Sequence, residues 1–281
     1  MGQFLRKLHE EHQAEGDGDG SHRKKNSNAL LSFPDLNLLP PEISLSVLSH
    51  LNATDLCLAA CVWQSLANDD ILWMSLCHSN WGYVSAYKRR HEPGFSYRKL
   101  YLKLDEGSLT FNANARLGMD YFLNNMLVED NPKEIARFLH STKRLQSIQK
   151  REFLKNRQDI LDILVQLQNY ENQFLPNALR RFFGEIHAPE ERGDYLSQLV
   201  DKFSERFCTC NPDLGLSKDV VFVVCFSLIL LSVDLCSPSV KNKMSKREFI
   251  RNTRRAVHIN DDFAGHLYDN IYLIGHVAPQ P

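Results

Sequence analysis

Cys208-Thr209-Cys210 is the only close cysteine pair in the sequence, and no second Cys or His pair stands at zinc-ligand spacing from it. A structural zinc site needs four such ligands, so no metal is expected. Eleven histidines are scattered without ligand spacing, and no Ser-His-Asp or Cys-His arrangement suggests a nucleophile beside its base. Glu191, close behind Pro189, is by itself an ordinary acidic residue of a first helical turn, where the helix dipole favours it. Lys246, Arg247, Arg251, Arg254 and Arg255 mark a basic helix. A solvated face accounts for it most simply, with an acidic membrane or partner as the other reading. These residues point to binding chemistry, without cofactor.

The composition narrows the partners. Lys plus Arg (33) nearly cancel Asp plus Glu (34) in 281 residues, so no field of one sign awaits a polyanion, and nucleic acid is not expected. The seven cysteines are odd in number, and Met1 to His22 lacks the apolar core of a secretion signal. Reduced thiols and a cytoplasmic location are expected. The longest apolar run, Val220 to Leu231, spans twelve residues, where a bilayer span needs about 20. It reads as a buried core helix, and no transmembrane segment is expected. Residues 9–28 contain one apolar residue, Ala14, which cannot offset the entropy of ordering. A disordered tail is expected over 1–32.

The elements that position any binding residue are helices. Pro40-Pro41 opens one whose apolar stripe is Ile43, Val47, Leu48 and Leu51. Thr54 is the candidate N-cap of a second, with Leu56, Ala59, Ala60, Trp63 and Leu66. A third carries Ile71, Leu72, Trp73 and Leu76. Three short helices bury too little surface for a comfortable core, and apolar residues left outside commonly meet a partner. Residues 83–107 have no clean period and read as a connector with a turn at Pro93-Gly94. Beyond Ser108 the stripes are long. Asn131-Pro132-Lys133-Glu134 and Ser245-Lys246-Arg247-Glu248 are helix starts with cap and third-position Glu in place. No hairpin signal competes, so the fold class is all-α.

Two resemblances sharpen this. Leu39-Pro40-Pro41-Glu42-Ile43, Val47 to Leu51, Asp55-Leu56, Trp63-Gln64-Ser65-Leu66-Ala67 and Leu72-Trp73 together resemble an F-box, placed at 33–82. The resemblance implies docking on the Skp adaptor of a cullin-based ubiquitin ligase through Pro40, Ile43, Leu48, Leu51, Leu56, Trp63, Leu72 and Trp73. Residues 108–276 resemble the Sec-seven domain, the exchange module of Arf-family GTPases. The likeness is carried by Glu134 to Leu139, by Ala178-Leu179-Arg180 through Phe203 to Pro212, and by Phe226 through Asn252. It implies a right-handed array of helices, and leaves 277–281 as a C-terminal tail.

In that family a carboxylate between two helices displaces the Mg²⁺-bound phosphate of GDP and takes its lysine. The match puts this finger at Glu191, with Glu190 as second candidate, because Pro189-Glu190-Glu191 stands where the family has Pro-Gly-Glu. The GTPase would rest on Phe226, Ile229, Leu230, Asp234, Ser237 and Met244. The second motif departs from Leu-Asn-Thr-Asp-Leu-His-Asn-Pro at Ser232, Val233, Cys236 and Ser237, each lost hydrogen bond costing about 1 kcal/mol. The resemblances imply an adaptor that binds an Arf-family GTPase, promotes its exchange, and comes transiently near membranes through Arf. The alternative is an exchange-inactive module that recruits a ubiquitination substrate. A helical scaffold with neither activity is the third reading. No ubiquitin-transfer chemistry of the chain's own is implied.

Overall fold

A computed structural model describes residues 35–189 and 193–278. The tail expected over 1–32 and the candidate finger residues Glu190 and Glu191 lie outside the described residues. Among these the chain is helical throughout, with no strand and a single isolated bridge between Trp81 and Thr142.

A 3₁₀ turn (Leu36–Leu38) leads into α1 (Pro41–Leu48), α2 (Ala53–Ala59), α3 (Gln64–Ala67) and α4 (Asp70–Asn80). Pro41 begins α1 where a missing N–H costs nothing. The cap of α2 is Asn52, whose side chain accepts the Asp55 N–H at 2.9 Å, and not Thr54. The stripe from Leu56 to Leu66, read as one helix, is broken between Ala59 and Gln64. Tertiary contacts outweigh its period: the Trp63 indole N–H donates to Asp35, 28 residues away, and the Trp73 indole to the Ala67 carbonyl.

After a 3₁₀ turn at Ser85–Arg89 come α5 (Tyr97–Ala113), α6 (Ala115–Asn124), α7 (Pro132–Ser141), α8 (Ser147–Lys155) and α9 (Gln158–Leu167). They are followed by α10 (Leu175–Glu185), α11 (Asp194–Cys210), α12 (Lys218–Cys236), α13 (Lys246–Ala256) and α14 (Asp261–Ile274). Asn131 caps α7, and Ser245 with Glu248 closes a full capping box on α13. Gly118 lets α6 lie against α5, since a Cβ there would sit 2.1 Å from the Phe111 Cα. Tyr170, Phe182, Phe203 and Phe207 fill the centre of the second half, fully buried and edge-to-face or tilted.

The connector is not a spacer. The boundary expected at 107/108 falls inside α5, which packs on both α4 and α6. The Asp70 carboxylate accepts the Tyr97 N–H at the start of α5, and the buried Cys77 thiol donates to the Tyr97 carbonyl. Burial pushes that thiol up to about 12, with Asp70 adding to the shift, so it keeps its proton. Trp81 is wholly buried, donates to Ser108 at 2.9 Å and meets Tyr101 edge-on. Gly82 and Lys143 N–H groups then tie this stretch to Ser141 and Asn80.

A polar clasp completes the junction. The Glu134 carboxylate accepts from Tyr83, from Ser85 at 2.9 Å and from Lys88 at 2.9 Å. Burial raises its pKa, but the Tyr83, Lys88 and Ser85 hydrogen bonds outweigh that and hold it at about 2. One continuous core therefore runs from Leu36 to Ala278. It includes Val277 and Ala278, so the C-terminal tail expected from 277 begins as packed chain.

Candidate functional site

The first surface lies on the small N-terminal helices. Ile43 is 50% exposed and Pro40 is open to solvent, while Leu51 and Trp63 are half-covered. Leu48, Leu56, Leu72 and Trp73 are buried in this chain's own core. Those four cannot present a face to an adaptor, a correction to the expected contact set. They hold together the helices that carry the exposed residues. Expectation also missed Leu38, Val47, Leu58, Val62, Ile71 and Met74, which are apolar and exposed, Ile71 by 60%. Helical spacing carried a signal for part of this set. Val47 stands one turn beyond Ile43, and Met74 three residues beyond Ile71, off the buried positions Leu72 and Trp73.

The second surface is centred on α12. This helix is 19 residues long, well beyond the twelve expected, and apolar on every side. By length and composition it could cross a membrane. Its packing against α10, α11, α13 and α14 gives the composition another cause. Val221, Val224, Cys225, Leu228, Ile229, Leu231 and Ser232 are buried. On the other side Phe222, Phe226 and Val233 are half-exposed and Leu230 is 51% exposed, one stripe at helical spacing. Ile229 thus belongs to the core and not to the open face. Phe222 was missed although it stands one turn before Phe226, their rings 5.0 Å apart.

The loop after α12 is folded back on it. The Asp234 carboxylate accepts the Met244 N–H at 2.7 Å, and Lys243 donates to the Asp234 and Ser237 carbonyls. Ser237 exchanges a hydrogen bond with Ser239, and Tyr268 donates to the Met244 carbonyl at 2.9 Å. The buried Ser232 hydroxyl donates to Ile229 of its own helix. Asp234, Ser237 and Met244 therefore meet in one place beside the end of the open stripe, with one Asp234 carboxylate oxygen, the Ser237 hydroxyl and the Met244 backbone engaged within the chain.

α10 and α11, which bracket residues 190–192, both pack on α12. Arg151 of α8 frames that bracket from both sides. Its guanidinium donates to the Ala188 carbonyl at 2.8 Å, and its own carbonyl accepts from Tyr195 at 3.2 Å. Among the described residues no cluster of His, Cys, Asp and Glu could hold a metal ion.

Comparison with known proteins agrees with this division. A family model described as Sec7 domain matches residues 101–273, and one described as F-box-like matches 36–79. The mouse (Mus musculus) protein named F-box only protein 8 is 60% identical over 273 residues, covering 95% of this chain and 86% of its own. The crystal structure of the Sec7p catalytic domain is 27% identical, with a TM-score of 0.56 over 61% of this chain and 97% of its own. A Sec7 domain in a structure of ARF1-GDP bound to it with brefeldin A has a TM-score of 0.58, covering 63% of this chain and 93% of its own. At 20% identity the latter speaks for the fold alone. The chain belongs to the Sec7-domain family and, with an F-box-like unit ahead of that domain, to the group of F-box only protein 8.

Proposed function

We propose that this protein is a cytoplasmic adaptor that holds an Arf-family GTPase on its Sec-seven-like half and docks on the Skp adaptor of a cullin-based ubiquitin ligase by its F-box-like half. The observation that carries the reading is the pair of unfilled apolar faces. One is the set of exposed apolar residues Ile43 and Val47 on α1 and Ile71 and Met74 on α4, the other the Phe226–Leu230 stripe, and both stand on one continuous core. Apolar surface left open on a folded chain is the usual mark of a partner site.

Exchange is the finer part of the proposal. It rests on Glu191, or Glu190 in the neighbouring register, whose carboxylate would compete with the β-phosphate of GDP for the GTPase lysine. The internal use of Ser232 and Asp234 favours a second reading, in which the GTPase is recruited for ubiquitination without exchange. Release of fluorescent GDP from a purified Arf-family GTPase separates them. Stimulation abolished by Glu191→Lys supports exchange. Retained binding without stimulation supports recruitment. No binding by the wild-type chain at micromolar concentration would end both.

A further inference from the structure

Between Lys241 and Arg255 the chain carries seven cations and one carboxylate, Glu248, in a protein of net charge −1. All seven cations are exposed. On α13 the positions of Arg247, Arg251, Arg254 and Arg255 fall within an arc of about 100° at 3.6 residues per turn. Phe249 and Thr253 bury the opposite side. Two of the helix's cations are neutralised by neighbours, Lys246 by Asp269 at 2.6 Å and Arg254 by Asp261 at 3.1 Å. Among the described residues Arg247, Arg251 and Arg255 have no ion-pair partner.

Folding does not explain this placement. Cations in the last turn of a helix are favoured by its dipole, which accounts for Arg254 and Arg255, but Lys246 and Arg247 occupy the first turn, where the dipole repels them. The neighbouring helix carries exposed apolar chain at its C-terminal end. α14 packs beside α13, its Tyr268 against Phe249, and Tyr272 stacks on Tyr268. Tyr272, Leu273 and Ile274 there are 60–78% exposed. Arginines without ion-pair partners on one exposed helix face have the composition of a surface that attracts anionic lipid.

We propose that the exposed arginine face of α13 is a docking surface for an anionic lipid bilayer. The inference does not depend on GTPase binding or exchange. The full chain is tested by co-sedimentation with vesicles of phosphatidylcholine alone and with about a third phosphatidylserine. Binding to the anionic vesicles only is expected, and it should vanish in ~1 M salt, where the screening length is about 3 Å. The Arg247→Gln, Arg251→Gln double variant should bind about 30-fold more weakly, each basic residue near such a surface being worth about 5-fold. The Arg→Lys pair at the same positions should keep most of the binding, and circular dichroism checks that both fold. Absence of binding to anionic vesicles at low salt, or equal binding by the Gln variant, overturns the proposal. So does a Gln variant that loses the GTPase while the wild type ignores the vesicles, an outcome that assigns the face to a protein partner.

Discussion

The two halves of the chain handle apolar residues differently. In the Sec-seven-like half the long helices are covered on several sides, and α12 keeps one open stripe. The other exposed apolar residues, such as Leu109, Leu117 and the Tyr272–Ile274 end, are spread over a much larger surface. In the F-box-like half Ile43, Val47, Leu58, Val62, Ile71 and Met74 all remain outside, although the unit is far smaller. Four short helices cannot turn every apolar residue inward. They use Leu48, Leu56, Leu72 and Trp73 for their core and lean on Trp81, Tyr97 and Tyr101 for the rest of it. The small unit thus shares its core with the large one and leaves its outer apolar residues open. So much open apolar surface on so small a unit is stable because its other side is continuous with a bigger fold.

The sharpest way to break the comparison is at the junction. Trp81→Ala should cost about 3–5 kcal/mol and shift one cooperative unfolding transition of the whole chain in denaturant. Two transitions, with only one of them moved, would mean that the halves fold apart. Next in size come the faces themselves. Ile43→Asp with Ile71→Asp should weaken Skp-adaptor binding by about 30-fold or more, as loss of buried anchors does. The fold should change by only about 0.5 kcal/mol per exposed site. Loss of adaptor binding through unfolding, seen as a lowered Tm, would refute the separation of face from core.

The smallest effect is expected at the polar clasp. A carboxylate whose pKa is depressed on folding contributes stability that is present above its ordinary value and lost as pH falls through the depressed one. For Glu134 that window runs from about 4.5 down to about 2. Glu134→Gln should lower stability near neutrality by about 1–2 kcal/mol. It should also lose stability less steeply than the wild type across that window. Parallel slopes in denaturant titrations at several pH values would show that the clasp contributes nothing to the junction.

Local chemistry made much of the fold legible in the sequence. Asn131-Pro132 and Ser245 to Glu248 announce their helices because caps and first-turn residues act over three or four positions. What escaped was tertiary. Asn52 rather than Thr54 caps α2, and Trp63 breaks the following stripe because it reaches Asp35. Periodicity identifies an apolar face but not whether solvent or chain covers it. Leu48 and Ile43 therefore looked alike, as did Ile229 and Leu230, and the structure separates each pair. Glu134 read as a first-turn acid of α7. Its partners Tyr83, Ser85 and Lys88 lie about fifty residues away, in a stretch without a period of its own.

The most direct test is assembly in series. The full chain is captured on immobilised Skp adaptor, and an Arf-family GTPase is then passed over it. The expected result is a ternary complex in which the GTPase binds as tightly as it does to the free chain. Ile43→Asp with Ile71→Asp should abolish capture alone, and Leu230→Asp should abolish only the second step. Displacement of the chain from the adaptor by the GTPase, or loss of both steps in either variant, would contradict two separate faces on one core.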